Sequence, residues 1–155
     1  MTRLHIHMNV SADHLEQSTK FYSALLGAEP TKQKPDYVKW MLDDPRINFV
    51  ISARCLKAGL NHLGIQAENE SEMVALRERI RHANLSTFHE DETTCCFAKS
   101  DKIWVQDPNH IAWETFHTTG ETEVFGESSA IKGACCIPQA HSECHSFERK
   151  SEYCG

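Results

Sequence analysis

Strand, helix, three strands: this order of elements can be read twice along the chain, and no other feature limits the fold as strongly. The first pass opens with Arg3 to Val10, where His5, His7 and Asn9 share one face of a strand and Leu4, Ile6, Met8 and Val10 the other. Ser11 is placed to cap a helix bearing Leu15, Tyr22, Leu25 and Leu26 at helical spacing, with Gly27 as its stop and Pro30 just beyond. Extended segments are expected near Ala28 to Lys32, Tyr37 to Leu42 and Ile47 to Ala53, with "DDPR" as the turn before the last.

The second pass begins at "NHLGIQA". Asn69 and Glu72 offer a capping box for a helix bearing Met73, Leu76 and Ile80, and strands are expected at Cys95 to Lys99, Lys102 to Gln106 and Ile111 to His117. Overlaying "DPRI" on "DPNHI", with one inserted residue, sets Ile47 on Ile111, Phe49 on Trp113 and Val50 on Glu114. His5 and His62 open the two units. Each unit, roughly 55 residues, is too short for a core of its own. The expectation is therefore one α+β domain over residues 1–118, with βαβββ modules of about 1–56 and 57–118 forming a partly open barrel whose inward side chains converge. Residues 119–155, rich in Gly, Ser, Glu and Lys with scattered cysteines, are expected to form a flexible tail.

Composition excludes some functions. A net charge of -6, with Lys and Arg thinly spread, gives a phosphate backbone no basic stripe to grip. No window approaches the length of a membrane span, and the alternating "MTRLHIHMNV" does not read as a signal peptide. Seven cysteines, an odd number, fit reduced thiols in a cytoplasmic protein better than a disulfide framework.

Taken alone, His5, His62 and Glu114 are ordinary strand or surface residues. Their equivalent positions in a repeat, on the strands that line the inside when the modules pair, make them a candidate metal set. Two imidazoles and a carboxylate form a facial triad suited to Fe(II), with positions left for substrate and dioxygen. Val50 stands where a symmetrical site would have a second carboxylate, which favours an open, oxygen-activating centre over a filled Lewis-acid one. His7 shares the face of His5 and is a candidate to replace it, to orient the ligands or to relay protons. His14, His82, His89, His110, His117, His141 and His145 fall in contexts where exposure is the default. Adjacent Cys95 and Cys96 follow a polar "FHEDETT" that reads as a flexible loop. Zinc sites favour cysteines two to four residues apart, whereas neighbouring reduced thiols suit a soft centre such as trivalent arsenic or cadmium. Two small strand fillers are the plain alternative. Cys135 and Cys136 repeat the pair in the tail and are candidates for capturing thiophilic metal; Cys55 stands alone and reads as structural.

"NHLGIQ", followed by "ETTCCFAKSDKIWVQDPNHIAWETF", resembles the ArsI/CadI proteins of the vicinal oxygen chelate superfamily, with the resemblance running from Arg3 to Phe116. It implies an Fe(II)-dependent, dioxygen-consuming lyase that cleaves carbon–arsenic bonds of trivalent organoarsenicals such as methylarsonite and releases arsenite. It also implies metal ligands at His5, His62 and Glu114 and arsenic-binding thiols at Cys95 and Cys96. The implied partner is a small-molecule organoarsenical, with a homodimer allowed and neither nucleic acid nor membrane involved. Some relatives place glutamine at the position of His5, and the family often has glycine in the turn where this chain has "DPNH". Two other readings are a non-catalytic cadmium- or arsenic-binding resistance protein and a glyoxalase-type isomerase, the latter disfavoured by Val50.

Overall fold

The structure, a computed structural model, describes residues 1–55, 57–95 and 98–121. The strands are β1 (Arg3–Asn9), β2 (Lys32–Lys34), β3 (Tyr37–Asp43), β4 (Arg46–Ser52), β5 (Gly59–Ala67), β6 (Thr87–Cys95), β7 (Ala98–Gln106) and β8 (Ala112–Glu121). The helices are α1 (Leu15–Leu26) and α2 (Glu70–His82). All strands join one sheet in the order β2-β3-β4-β1-β5-β8-β7-β6, which does not close on itself.

The duplication is visible in the pairing. In each module the first strand runs parallel to the last, β1 with β4 and β5 with β8, and the last is antiparallel to the one before it. The two modules meet along the antiparallel pair β1 and β5, so the first strands of both lie side by side at the centre of the sheet. This is the α+β arrangement of two βαβββ units expected from the repeat.

Both helices cover the outer face. Leu15, Tyr22 and Leu26 of α1 pack with Ile6 and Met8 of β1 and Val10 just beyond it around buried Val38, Trp40, Phe49 and Ile51. Met73, Leu76 and Ile80 of α2 pack on Ala67 and Ile103. Each such side chain, fully buried, contributes about 1.5–3 kcal/mol. With the apolar side of β1 taken by α1, the alternation of the strand turns His5, His7 and Asn9 to the opposite, concave face, where they are also buried. The polar face implied by the sequence therefore lines the interior between the modules.

Helix ends follow local chemistry. Asn69 accepts a hydrogen bond from the Glu72 backbone N–H at 2.9 Å, while the Glu72 carboxylate takes the Glu68 N–H rather than that of Asn69. Gly27 ends α1 at φ 64°, a left-handed conformation natural to glycine. Ser11 departs from expectation: its side chain makes no cap. A short 3-10 turn over Ala12–His14 precedes α1, and the Ser11 carbonyl closes it by accepting the His14 N–H. The turn "QDPN" is held by the Asp107 carboxylate, which accepts from the N–H groups of Asn109 and Ile111, and His110 follows at φ 63°.

Three further expectations are corrected. The extended segment after α1 starts at Lys32, not Ala28, because Ala28 and Thr31 are used in backbone hydrogen bonds to Ser23 and Lys39. "FHEDETT" is not a loop: it forms β6, an edge strand paired on one side to β7, with a register shift between Glu90 and Thr93. An edge strand needs no apolar run, and charge on it discourages association. Cys55 is disulfide-bonded, so the thiols are not all reduced. Among the described residues no helix is long and apolar enough to cross a membrane. Residues 119–121 of the expected tail belong to β8, and the rest, with Cys135 and Cys136, lies outside the described residues.

Candidate metal centre

The concave face brings His5 of β1, His62 of β5 and Glu114 of β8 together, each at most 5% exposed. His5 Nε2 lies 3.2 Å and His62 Nε2 3.1 Å from the same carboxylate oxygen, Glu114 Oε1. These distances reflect the register. β1 and β5 are antiparallel neighbours, β5 and β8 are parallel neighbours, and Gly64 stands directly opposite Glu114. A Cβ at Gly64 would come within 2.7 Å of both Glu114 Cγ and the Glu114 carbonyl oxygen, and 3.4 Å from His5 Cβ. Glycine is what lets the glutamate lie across β5 toward β1.

The tautomers are set by what lies behind each ring. His5 Nδ1 is 3.0 Å from the Asn48 carbonyl, which can only accept, so the ring proton sits on Nδ1. Burial pushes the His5 imidazole down to about 4, more than Glu114 lifts it, so near neutral pH its Nε2 is bare. His62 Nδ1 donates to Asn61 Oδ1 at 2.6 Å, and Asn61 is itself fixed by donating to Asn9 Oδ1 at 2.8 Å. For Glu114, burial acts to raise the carboxyl, but Lys102, His62 and His5 together outweigh it and hold the group well below the usual carboxylate range. Lys102 Nζ lies 3.1 Å from Oε2, the oxygen turned away from the imidazoles, and is itself buried.

This arrangement fits a metal ion. A bare imidazole nitrogen facing an ionised carboxylate oxygen at 3.2 Å is repulsive unless a cation lies between them. Donors spaced at 3.1–3.2 Å match one ion with bonds of roughly 2.1 Å at right angles, which sets ligand atoms about 3.0 Å apart. Each ring nitrogen remote from the carboxylate is tied to a protein oxygen, the usual support for a ligating histidine. Phe116 stands edge-on to His5, with centroids 5.3 Å apart, and Trp104 edge-on to His62 at 5.0 Å, so each imidazole packs against an aromatic ring.

His7 joins the same cluster. One ring nitrogen from each of His5, His7 and His62 lies within 4.8 Å of the others, and all three residues are buried. Cys95 ends β6 and pairs with Ala98 across the β6–β7 hairpin; Cys96 lies outside the described residues. His14, His82 and His110 are exposed as expected, whereas His117 is half-buried on β8, with Nδ1 3.8 Å from Glu70 Oε2.

Three residues of the centre were not anticipated from the sequence: Asn61, Gly64 and Lys102. Two carried a readable signal. Gly64 follows His62 by two and so shares its inward face, and Lys102 precedes the buried Trp104 by two.

Residues 5–115 match the model of the Glyoxalase/Bleomycin resistance protein/Dioxygenase superfamily. A trivalent organoarsenical cleaving enzyme of Bacillus sp. (strain MD1) is 40% identical over 140 residues, covering 88% of this chain and 85% of that protein. The cadmium-induced protein CadI of Mycobacterium bovis is 39% identical over 147 residues, covering 90% and 95%. Among solved structures, an extradiol ring-cleaving dioxygenase from B. fuscum superposes with a TM-score of 0.54 at 16% identity, covering 78% of this chain and 34% of that one. The Mn(II)-bound glyoxalase from Novosphingobium aromaticivorans gives 0.53 at 14% identity, covering 79% and 42%. At such identities the structural likeness is one of fold. The chain belongs to the glyoxalase, bleomycin resistance protein and dioxygenase superfamily, and within it to the ArsI/CadI family.

Proposed function

We propose that this chain cleaves the carbon–arsenic bond of trivalent organoarsenicals, with Fe(II) held by His5, His62 and Glu114 and dioxygen as co-substrate, and releases arsenite. The observation that carries the reading is the convergence of the two imidazole Nε2 atoms on one oxygen of a buried, ionised carboxylate. The substrate class comes from the 40% identity to a trivalent organoarsenical cleaving enzyme. When bound, Fe(II) supplies one-electron chemistry toward dioxygen, which two imidazoles and a carboxylate leave room for.

The chain's own residues do the rest. The thiolates of Cys95, which ends β6, and of Cys96, next to it in the sequence, hold arsenic and present its organic group to the centre, turning a bimolecular encounter into a fixed geometry. Lys102 keeps Glu114 ionised through Oε2 and leaves Oε1 for the metal. Phe116 and Trp104 pack edge-on against the two imidazoles and help hold their orientation. The reaction balances without an added reductant. Methylarsonous acid and dioxygen give formaldehyde and arsenous acid: the carbon–arsenic bond breaks, one oxygen atom goes to carbon and one to arsenic, and the methyl carbon is oxidised as dioxygen is reduced.

The test is anaerobic reconstitution with Fe(II), exposure to air with methylarsonite, and speciation of the products. Arsenite in many-fold excess over protein supports the reading; its absence overturns it. A second reading, stoichiometric capture of a thiophilic metal, draws on the likeness to cadmium-induced proteins. It predicts that the arsenical stays bound and unchanged.

A further inference from the structure

We propose that the centre takes a fourth protein ligand: His7 Nδ1, together with His5 Nε2, His62 Nε2 and Glu114 Oε1, on a single divalent metal ion. The inference rests on the metal reading above and changes its donor set from two imidazoles and a carboxylate to three imidazoles and a carboxylate.

The first support is an orphaned atom. His7 is 2% exposed, and its Nδ1 has no hydrogen-bond partner among the described residues. A buried ring nitrogen left without a partner costs about 1–3 kcal/mol, so such an atom calls for an explanation. Its other nitrogen, Nε2, is engaged with Ser52 Oγ at 2.8 Å. All three imidazoles of the cluster therefore share one pattern. One nitrogen is tied to a protein oxygen, the Asn48 carbonyl, Asn61 Oδ1 or Ser52 Oγ, and the other remains for the ion. The rings are close: His7 and His62 have centroids 4.9 Å apart, and His7 and His5 6.2 Å.

The second support is the repeat itself. On β5 the residue two beyond His62 is Gly64, which pairs with Glu114 on the parallel neighbour β8. On β1 the residue two beyond His5 is His7, which pairs with Val50 on the parallel neighbour β4. The two pairs are equivalent, with their side chains exchanged. In the second module the ligand comes from the outer strand and a glycine makes room for it. In the first module the outer strand offers a valine, which cannot bind metal, and the central strand offers the imidazole. The fourth corner of the repeat, empty by the overlay of Val50 on Glu114, is thus filled from the adjacent strand.

Three imidazoles and a carboxylate favour a borderline divalent ion and leave two positions of an octahedron for exogenous groups. Co(II) titrated into the metal-free full-length protein under argon tests this, with the hyperfine-shifted, solvent-exchangeable ring N–H signals counted by proton NMR. Each ligating histidine gives one such signal. Three in the wild type and two in His7→Leu, with Co(II) affinity lowered by more than the roughly 10–100-fold that loss of a supporting partner causes, support the inference. Two signals in the wild type overturn it while leaving a three-ligand centre, and this count stands even if the variant fails to fold. Failure of the wild type to bind Co(II) overturns both this inference and the metal reading.

Discussion

Replacing Gly64 with alanine separates a designed close approach from an incidental one. In a strand, glycine to alanine ordinarily stabilises by about 0.4–1 kcal/mol, because the unfolded chain loses freedom. Here the added methyl would lie 2.7 Å from Glu114 Cγ and 2.7 Å from the Glu114 carbonyl oxygen. Apolar contacts settle at about 3.5–4.0 Å, so each overlap is close to 1 Å. The carbonyl is backbone, held by the β5–β8 ladder, and cannot swing aside as a side chain can. Overpacking of this kind costs typically about 1–3 kcal/mol, which exceeds the gain in the unfolded state and leaves a net loss of about 1–2 kcal/mol. With a urea slope of about 1–3 kcal/mol per molar, the midpoint of the metal-free protein should fall by about 1 M. Relief of the clash must also move Glu114 Cγ, and with it Oε1, away from His5 and His62, so Co(II) affinity should fall with stability. A Gly64→Ala protein with an unchanged or higher midpoint and wild-type Co(II) affinity would refute the claim that this glycine makes room for the glutamate.

Other consequences can be checked as directly. Asn61→Leu removes the acceptor of the His62 Nδ1 proton and should weaken Co(II) binding about 10–100-fold in a protein that still folds by circular dichroism; unchanged binding would show that Asn61 does not orient the ring. Cys95→Ser and Cys96→Ser should each weaken binding of methylarsonite, by calorimetry under reducing conditions, by at least about tenfold, or 1.4 kcal/mol; wild-type affinity in either would end the idea of two-thiolate chelation. Stability of the metal-free protein should fall with acid. His5 is held at about 4 by burial, and burial likewise holds His7 well below its ordinary value. Between pH 6.5 and 4 the unfolded chain therefore takes up protons that the fold refuses. Each of the two histidines contributes a slope approaching about 1.4 kcal/mol per pH unit, fully relieved above 6.5. Below about 4.5 the depressed Glu114 adds a loss of the same sign. Urea midpoints that are flat between pH 7 and 5 would refute the assignment of neutral, buried imidazoles.

Much of the site was legible because its signals are local. Alternation in "RLHIHMN" marks a strand with a polar inner face, Asn69 and Glu72 mark a helix start, and the repeated turns "DPR" and "DPNH" align Val50 with Glu114. The failures have physical causes as well. β6 reads as a loop because an edge strand, bonded on one side, carries none of the apolar periodicity that reveals buried strands. Ser11 reads as a cap because sequence does not show that a 3-10 turn intervenes before α1. Gly64 and Lys102 acquire their roles from register between strands far apart in the chain: Gly64 faces Glu114, and Lys102 reaches it from β7. His7 lay in view as a neighbour of His5, but its unpartnered nitrogen and its exchange with Val50 exist only once β1 is laid against β4.

For the proposed metal centre, the central seam, where β1 lies against β5, has a consequence for how an ion would be acquired during synthesis. Residues 1–56 alone contribute His5 and His7 and no acid, whereas residues 57–118 contribute His62 and Glu114. Neither stretch encloses a full set of donors, so a ribosome-bound or proteolysed half offers only an open, weak grip. Capture becomes tight when both halves have docked, at which point the ion itself acts as a rivet that adds to folding stability in proportion to the logarithm of its free concentration. The Fe(II) proposed for this centre would thereby be admitted only to chains already able to contain its chemistry.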